Sequence, residues 1–172
     1  MNRYFTVKLK CFFQAEGGEP SRKTITFFIN AMTWGEAEEK MFLFTKINRA
    51  YGGEMEITSI IPSKVNELFV GNGAGKFFMA KCRYHEESAN GKPMIRSHSF
   101  LVEAEDLKEA EANLMDGIRD SMIDYTATDL KETQIFEIID LKTVEKEATE
   151  NKMANAEAQP LFETEEETDI DD

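Results

Sequence analysis

What this chain has little of narrows its fold and chemistry before any motif is considered. It holds two cysteines in 172 residues, Cys11 and Cys82. They lie in predicted strands without metal-like spacing, which excludes a disulfide framework and leaves buried free thiols as the reading. It holds two histidines, His85 and His98, in no ligand spacing, so neither a metal site nor a cofactor is expected. His98 shares the core-facing parity of Phe100. No apolar run approaches the length of a membrane span, and the first ten residues interrupt their apolar positions with charge rather than forming a signal-peptide core. No membrane association and a cytoplasmic location are therefore expected. Positive charge is also scarce, with 20 Lys and Arg against 33 Asp and Glu and a net charge of −13.

What is present is a repeat. Phe27 and Phe100, Ala31 and Ala104, and Glu36-Ala37-Glu38 and Glu109-Ala110-Glu111 are separated by one offset of 73 positions, which also pairs Phe5 with Phe78 and Lys8 with Lys81. A fixed internal offset is the signature of a duplicated supersecondary unit. In the first copy, Lys23, Ile25, Phe27, Ile29 and Ala31 alternate with Arg22, Thr24, Thr26, Phe28 and Asn30, the period of a half-buried strand. Thr33 with Glu36, and Asp106 with Glu109, then form capping boxes. Beyond them Ala37, Met41, Phe44 and Tyr51, and Leu107, Ala110, Leu114 and Ile118, recur at helical spacing as core stripes.

The fold expected is α+β: an internal duplication of a strand-strand-helix-strand unit, with an antiparallel sheet and two helices on one face. The first unit covers residues 1–70, a glycine-rich linker 71–76, the second unit 77–143, and an acidic disordered tail 144–172. Turn-rich segments at 14–21 and 86–93 suit long hairpins, and Tyr51-Gly52-Gly53 ends the first helix. A third strand follows each helix, at 54–61 and 125–130, the second offset by 70. Periodicity does not decide whether residues 63–69 and 133–139 are helix or strand. The linker Gly71-Asn72-Gly73-Ala74-Gly75-Lys76 is not a phosphate loop: Gly71 lies one residue too close to Gly75, Phe77 follows Lys76, and a strand rather than a helix comes next.

The faces of the first strand of each unit carry the functional expectation. Phe5, Val7, Leu9, Cys11 and Phe13 point one way, and Tyr4, Thr6, Lys8, Lys10 and Phe12 the other. In the second unit Phe77, Met79, Lys81, Arg83 and His85 form the corresponding outer set. Basic residues interleaved with aromatics suggest single-stranded nucleic acid, with bases stacking on Tyr4, Phe12, Phe28 or Phe77 and phosphates neutralised by Lys8, Lys10, Lys81 and Arg83. Strand lysines also serve simply to discourage edge-to-edge association.

The tail holds eleven acidic residues against Lys146 and Lys152, a charge of −9, which leaves −4 for the body. Such a segment stays solvated. It can compete with nucleic acid for the basic face or dock a protein through Leu161 and Phe162, which follow Pro160. The glutamates Glu36 with Glu38 and Glu109 with Glu111 sit at helix starts and cannot converge as an acid–base pair, so no catalytic residues and no enzyme are expected. The alternative is a protein-interaction module or a homodimer using the same aromatics, which the acidic body favours.

Tyr4-Phe5-Thr6-Val7-Lys8, the block from Phe27 to Glu38, Val65-Asn66-Glu67-Leu68-Phe69 and the repeated Leu107-Lys108-Glu109-Ala110 together resemble the DUF4494 family, a domain of unknown function from gut bacteria and their phages. The resemblance spans about residues 4–140, with Tyr4 and Phe77 standing where tryptophan is expected in many members. It implies a phage or mobile-element setting, in which the protein-interaction alternative becomes a phage-encoded modulator of a host protein. It transfers no activity and no residue roles.

Overall fold

A computed structural model describes residues 4–13, 21–47, 55–71, 73 and 75–139. Residues 14–20 of the expected hairpin loop at 14–21, the helix end at Tyr51-Gly52-Gly53 and the tail with Leu161 and Phe162 lie outside these residues, and Ser21 already belongs to a strand.

Within them the alternating segments form strands and the capped segments helices. In chain order they are β1 (Tyr4–Phe13), β2 (Ser21–Asn30), α1 (Trp34–Ile47), β3 (Met55–Pro62), β4 (Glu67–Phe69), β5 (Lys76–Glu87), β6 (Pro93–Ala104), α2 (Leu107–Ile118), β7 (Thr126–Glu132) and β8 (Ile135–Ile139). Both capping boxes close. In α1 the Glu36 amide donates to Thr33 Oγ1 at 3.2 Å, and the Met32 amide to Glu36 Oε2 at 2.7 Å. In α2 the Glu109 amide donates to Asp106 Oδ1 at 2.8 Å, and the Glu105 amide to Glu109 Oε2 at 2.7 Å. In each, the cap side chain takes the glutamate's own amide, a donor the helix leaves orphaned, and the glutamate reaches back to the amide just before the cap. Lys40 holds Glu36 at 2.7 Å, and its hydrogen bond, with that of the Met32 amide, keeps the Glu36 carboxyl below its ordinary pKa.

The fold is α+β, with two four-stranded sheets in the orders β3-β1-β2-β8 and β4-β6-β5-β7. The single sheet with both helices on one face is thus replaced by two sheets with a helix each. The undecided segments are strands, and each crosses over: β4 pairs parallel with β6, and β8 pairs parallel with β2. Each half therefore lends its last strand to the other half's sheet, so the halves at 1–70 and 77–143 are interlocked rather than adjacent.

The layers follow from which residues are buried together. Phe5, Val7, Leu9, Cys11, Phe27 and Ile29 pack under Ala37, Met41 and Phe44 of α1, while Ala80, Cys82, Phe100 and Val102 pack with Leu114 of α2. Between the sheets lies a third cluster of Tyr4, Phe28, Val65, Phe77 and Leu101, with Leu68, Met79, Ile135 and Ile138 against it. The order is helix, sheet, sheet, helix. Both thiols are free and buried, and burial raises their pKa. Among the described residues no helix is long and apolar enough to cross a membrane.

Local irregularities recur with the repeat. Thr58 in β3 and Thr128 in β7 are bulged residues at a register shift, and their hydroxyls donate to the carbonyls of Lys8 at 3.1 Å and Lys81 at 2.9 Å. The Ser63 amide donates to the Tyr4 carbonyl at 2.7 Å, and the Thr133 amide to the Phe77 carbonyl at 2.8 Å, at the points where each chain leaves one sheet for the other. Lys40 Nζ bonds the Asn30 carbonyl at 2.5 Å, and Asn113 Nδ2 bonds the matching Glu103 carbonyl at 3.0 Å.

One slot is filled by opposite means in the two halves. In the first, Phe44 of α1 packs in one cluster with Ile139 of β8. In the second the matching positions are Gly117 of α2 and Phe69 of β4, and a Cβ on Gly117 would lie 2.8 Å from three atoms of the Phe69 ring. Phe69 is in turn stacked on Phe100, with centroids 5.4 Å apart, so it cannot simply withdraw. Gly117→Ala in a helix ordinarily stabilises by about 1 kcal/mol. Here it is expected to destabilise by about 1–3 kcal/mol through overpacking. Thermal or urea unfolding checks this, with Phe69→Leu restoring much of the loss in the double variant.

The glycine-rich linker is tied down by the protein's own carboxylate. Glu103, 4% exposed, accepts the Gly71 amide at 3.0 Å and the Gly75 amide at 3.4 Å. Gly73 and Gly75 take φ of 78° and 79°, a region open to glycine without strain. Amides that a phosphate loop would offer to a ligand here hold an internal anion.

Candidate nucleic-acid interface

The antiparallel register sets residues of β1 and β2 side by side on the face away from α1: Lys8 opposite Thr26, Lys10 opposite Thr24, and Phe12 opposite Arg22. On the second sheet Lys81 lies opposite Ser99 and Arg83 opposite Ser97. Each sheet thus carries two cations beside two hydroxyls at equivalent positions. Alternation had placed Thr24, Thr26 and Arg22 on this face, but their side-by-side register with the lysines emerges only from the strand pairing.

Lys8, Lys81 and Arg83 are exposed and Lys10 is half-buried. None of the four is in an ion pair among the described residues. The nearest acids across the strands are Glu56, opposite Lys10, and Asp129, opposite Lys81, the latter 3.8 Å from Lys131 instead. Unneutralised ammonium and guanidinium groups beside hydroxyl donors can bind phosphate oxygens, the lysines as point charges and Arg83 as a fork.

The aromatic half of the expected site is corrected. Phe28 is fully buried, Phe77 6% exposed and Tyr4 8% exposed, and Tyr4 stacks on Phe28 with ring centroids 5.0 Å apart. The strand exchange brings the sheets together at this end, and these rings fill the seam between them. They offer no face to a base. Phe12 is half-buried, and the Arg22 guanidinium lies 5.0 Å above its ring centroid in a cation–π arrangement. The structure therefore brings the cations together with hydroxyls, and does not bring them together with a stacking platform.

A second polar group was missed by sequence reasoning. His98 Nδ1 lies 2.7 Å from Tyr125 Oη, and its Nε2 lies 3.3 Å from Tyr84 Oη. One hydroxyl donates to the ring and the other accepts from it, as the tautomer dictates. Burial raises the Tyr125 pKa, with the charges of Tyr84, Glu67 and Cys82 adding to it. The matching residues of the first half are Cys11, Ile25 and Met55, all packed in or against an apolar cluster. The polar trio is a feature of the second half alone, and residues 84, 98 and 125 are too far apart in sequence to show as a motif. A hollow of about 450 Å³ lies beside it, lined by Tyr84, His85, Glu86, Met122, Ile123 and Asp124. Both ring nitrogens of His98 are taken by tyrosines, so the trio fixes the rings rather than presenting an acid or base to the hollow. Among the described residues no group of three or more His, Cys, Asp or Glu side chains could hold a metal ion.

Comparison with known proteins gives one match. The DUF4494 family model, described as a domain of unknown function, matches residues 3–141. No curated protein and no solved structure matches.

Proposed function

The chain belongs to the DUF4494 family, and we propose that it is a non-enzymatic nucleic-acid-binding accessory protein, cytoplasmic and of a phage or mobile element, that grips the phosphate backbone with two equivalent sheet faces. The observation that carries this reading is the recurrence of cations without an ion pair among the described residues beside hydroxyl rows, Lys8 and Lys10 with Thr24 and Thr26, and Lys81 and Arg83 with Ser97 and Ser99. A lysine placed only to protect a strand edge has no need of a matching hydroxyl row. With Tyr4, Phe28 and Phe77 in the seam, stacking contributes at most through Phe12, so affinity comes from phosphates and depends strongly on salt. The competing reading of this face as a protein interface loses the same three aromatics. The acidic residues 144–172 act in this scheme as a tethered competitor that lowers affinity for weak polyanions.

Fluorescence anisotropy of a labelled single-stranded oligonucleotide, with a duplex of the same sequence alongside, tests this reading. The full chain should bind more weakly than residues 1–143 at low salt. Replacing Lys8, Lys10, Lys81 and Arg83 by glutamine should lower the slope of log affinity against log salt by about 3, from four phosphate contacts of about 0.7 each on a single strand. Absence of binding by both lengths of chain at low salt would remove the proposal.

A further inference from the structure

The helices carry a recurrence of their own on a flank beside the core stripe. Trp34 of α1 and Leu107 of α2 occupy equivalent positions 73 apart, as do Phe42 and Met115. Their exposures are 52%, 53%, 53% and 44%. Single exposed apolar side chains are normal on any surface. Four large ones at two matched pairs of positions are not scattered: each helix repeats an apolar residue, an acid four residues on, and an apolar residue four beyond that. The acids are Glu38 and Glu111, and neither has an ion-pair partner among the described residues. Residues i, i+4 and i+8 follow one another along a helix surface, so each set is a continuous stripe. Leu107 belongs to the core stripe by periodicity alone, yet it lies outside, as Trp34 does.

We propose that these stripes, Trp34-Glu38-Phe42 and Leu107-Glu111-Met115, are two equivalent docking sites for a protein segment that presents two apolar anchors around a lysine or arginine. The central carboxylate sets the chemistry of the occupant. An acidic segment would bring like charges together at the middle of the contact, which rules against the chain's own tail, where Leu161 and Phe162 are followed by Glu163, Glu165, Glu166 and Glu167. A second copy meeting stripe to stripe would oppose glutamate to glutamate, with the same result. A basic partner is attracted by both the stripe and the net charge of −13. The stripes lie on the opposite faces of the layers from the cations of the proposed nucleic-acid site, so a segment docked there leaves those cations open. This inference does not rest on nucleic-acid binding.

Trp34 is the sole tryptophan of the chain, so its fluorescence reports directly on the first stripe. A displayed library of short peptides is selected against the full chain, and enriched sequences are synthesised and titrated while Trp34 emission is followed. The expected result is enrichment of peptides with two apolar residues bracketing Lys or Arg, a blue shift of Trp34 on binding, and a stoichiometry of two. Trp34→Ala with Phe42→Ala, or Leu107→Ala with Met115→Ala, should each reduce the stoichiometry to one, and Glu38→Lys should weaken the first site about tenfold, as for loss of an interface hot spot. These side chains are about half exposed, so unchanged thermal midpoints will show that the variants fold. The glutamine variant of the four sheet-face cations should bind the peptides unchanged. The proposal is overturned if no peptide depends on either stripe, or if enriched peptides are acidic. It is equally overturned if Trp34 shifts with chain concentration alone, which assigns the stripe to a second copy, or if it shifts red on removal of residues 144–172, which assigns it to the tail.

Discussion

Phe28→Ala is expected to cost about 3–5 kcal/mol, the range for emptying a buried aromatic site, read as a lower urea midpoint at unchanged slope. Phe28 has no exposed surface, and its ring sits in the seam where the two sheets meet. Tyr4 stacks on it from the neighbouring strand, and Leu101 and Phe77 belong to the same cluster from the opposite sheet. The cavity cannot close without moving one sheet against the other, and the exchanged strands β4 and β8 hold that spacing. By contrast Phe12→Ala, on the same face of the first sheet but half-buried, with Arg22 over its ring, should cost about 1 kcal/mol or less, as for a substitution outside the core. The pair separates a packing role from a binding role along one strand face. A Phe28→Ala variant as stable as the parent and impaired in oligonucleotide binding would return the seam aromatics to the surface.

That contrast shows where the sequence was readable and where it was not. Period-two alternation assigned Tyr4, Lys8, Lys10 and Phe12 to one face correctly, since a strand has only two faces. It carried no information about what covers that face. The cover is the opposite sheet, through Phe77 and Leu101, held there by the exchange of β4 and β8, strands three and five residues long and too short for a period to be measured. Their crossing between sheets depends on the connections at Ser63 and Thr133, where one backbone hydrogen bond closes each strand end. The repeat offset and the capping boxes, by contrast, placed both helices, because cap geometry is local and needs no knowledge of the partner sheet. Leu107 illustrates the limit of periodicity: it fits the core stripe by spacing, but as the first residue of α2 it projects off the sheet. Of the candidate site, the cations were legible as residues and their hydroxyl neighbours only through the strand register. The trio of Tyr84, His98 and Tyr125 was not legible at all, since three strands and loops distant in sequence must fold together before it exists.

The strand exchange makes its own prediction, that damage in one half unfolds the other. Ending the chain at Gln134 removes β8 and everything after it, none of it in the first repeat unit. Ile139 is 1% exposed and packs in the first core with Phe27 and Phe44, while Ile135 and Ile138 pack in the seam. Losing even two such side chains costs about 4 kcal/mol or more at about 2–5 kcal/mol each. That is a large part of the about 5–15 kcal/mol that typically separates folded from unfolded domains. The loss also strips β2 of its parallel partner along Thr26–Ile29, leaving an open edge of backbone donors and acceptors. In hydrogen exchange followed by mass spectrometry, peptides covering Ser21–Asn30 should lose protection before those covering Pro93–Ala104, although the deleted residues lie more than 100 positions beyond β2 in the chain. If the truncated chain is too unstable to purify, Ile139→Ala supplies the same test at smaller amplitude, with the first sheet again weakening ahead of the second. Protection lost first in β5 to β7, with β2 intact, would mean that each half completes its own sheet and that the halves are merely neighbours. The interlocked topology requires the reverse, because among the described residues β8 has no backbone partner except β2.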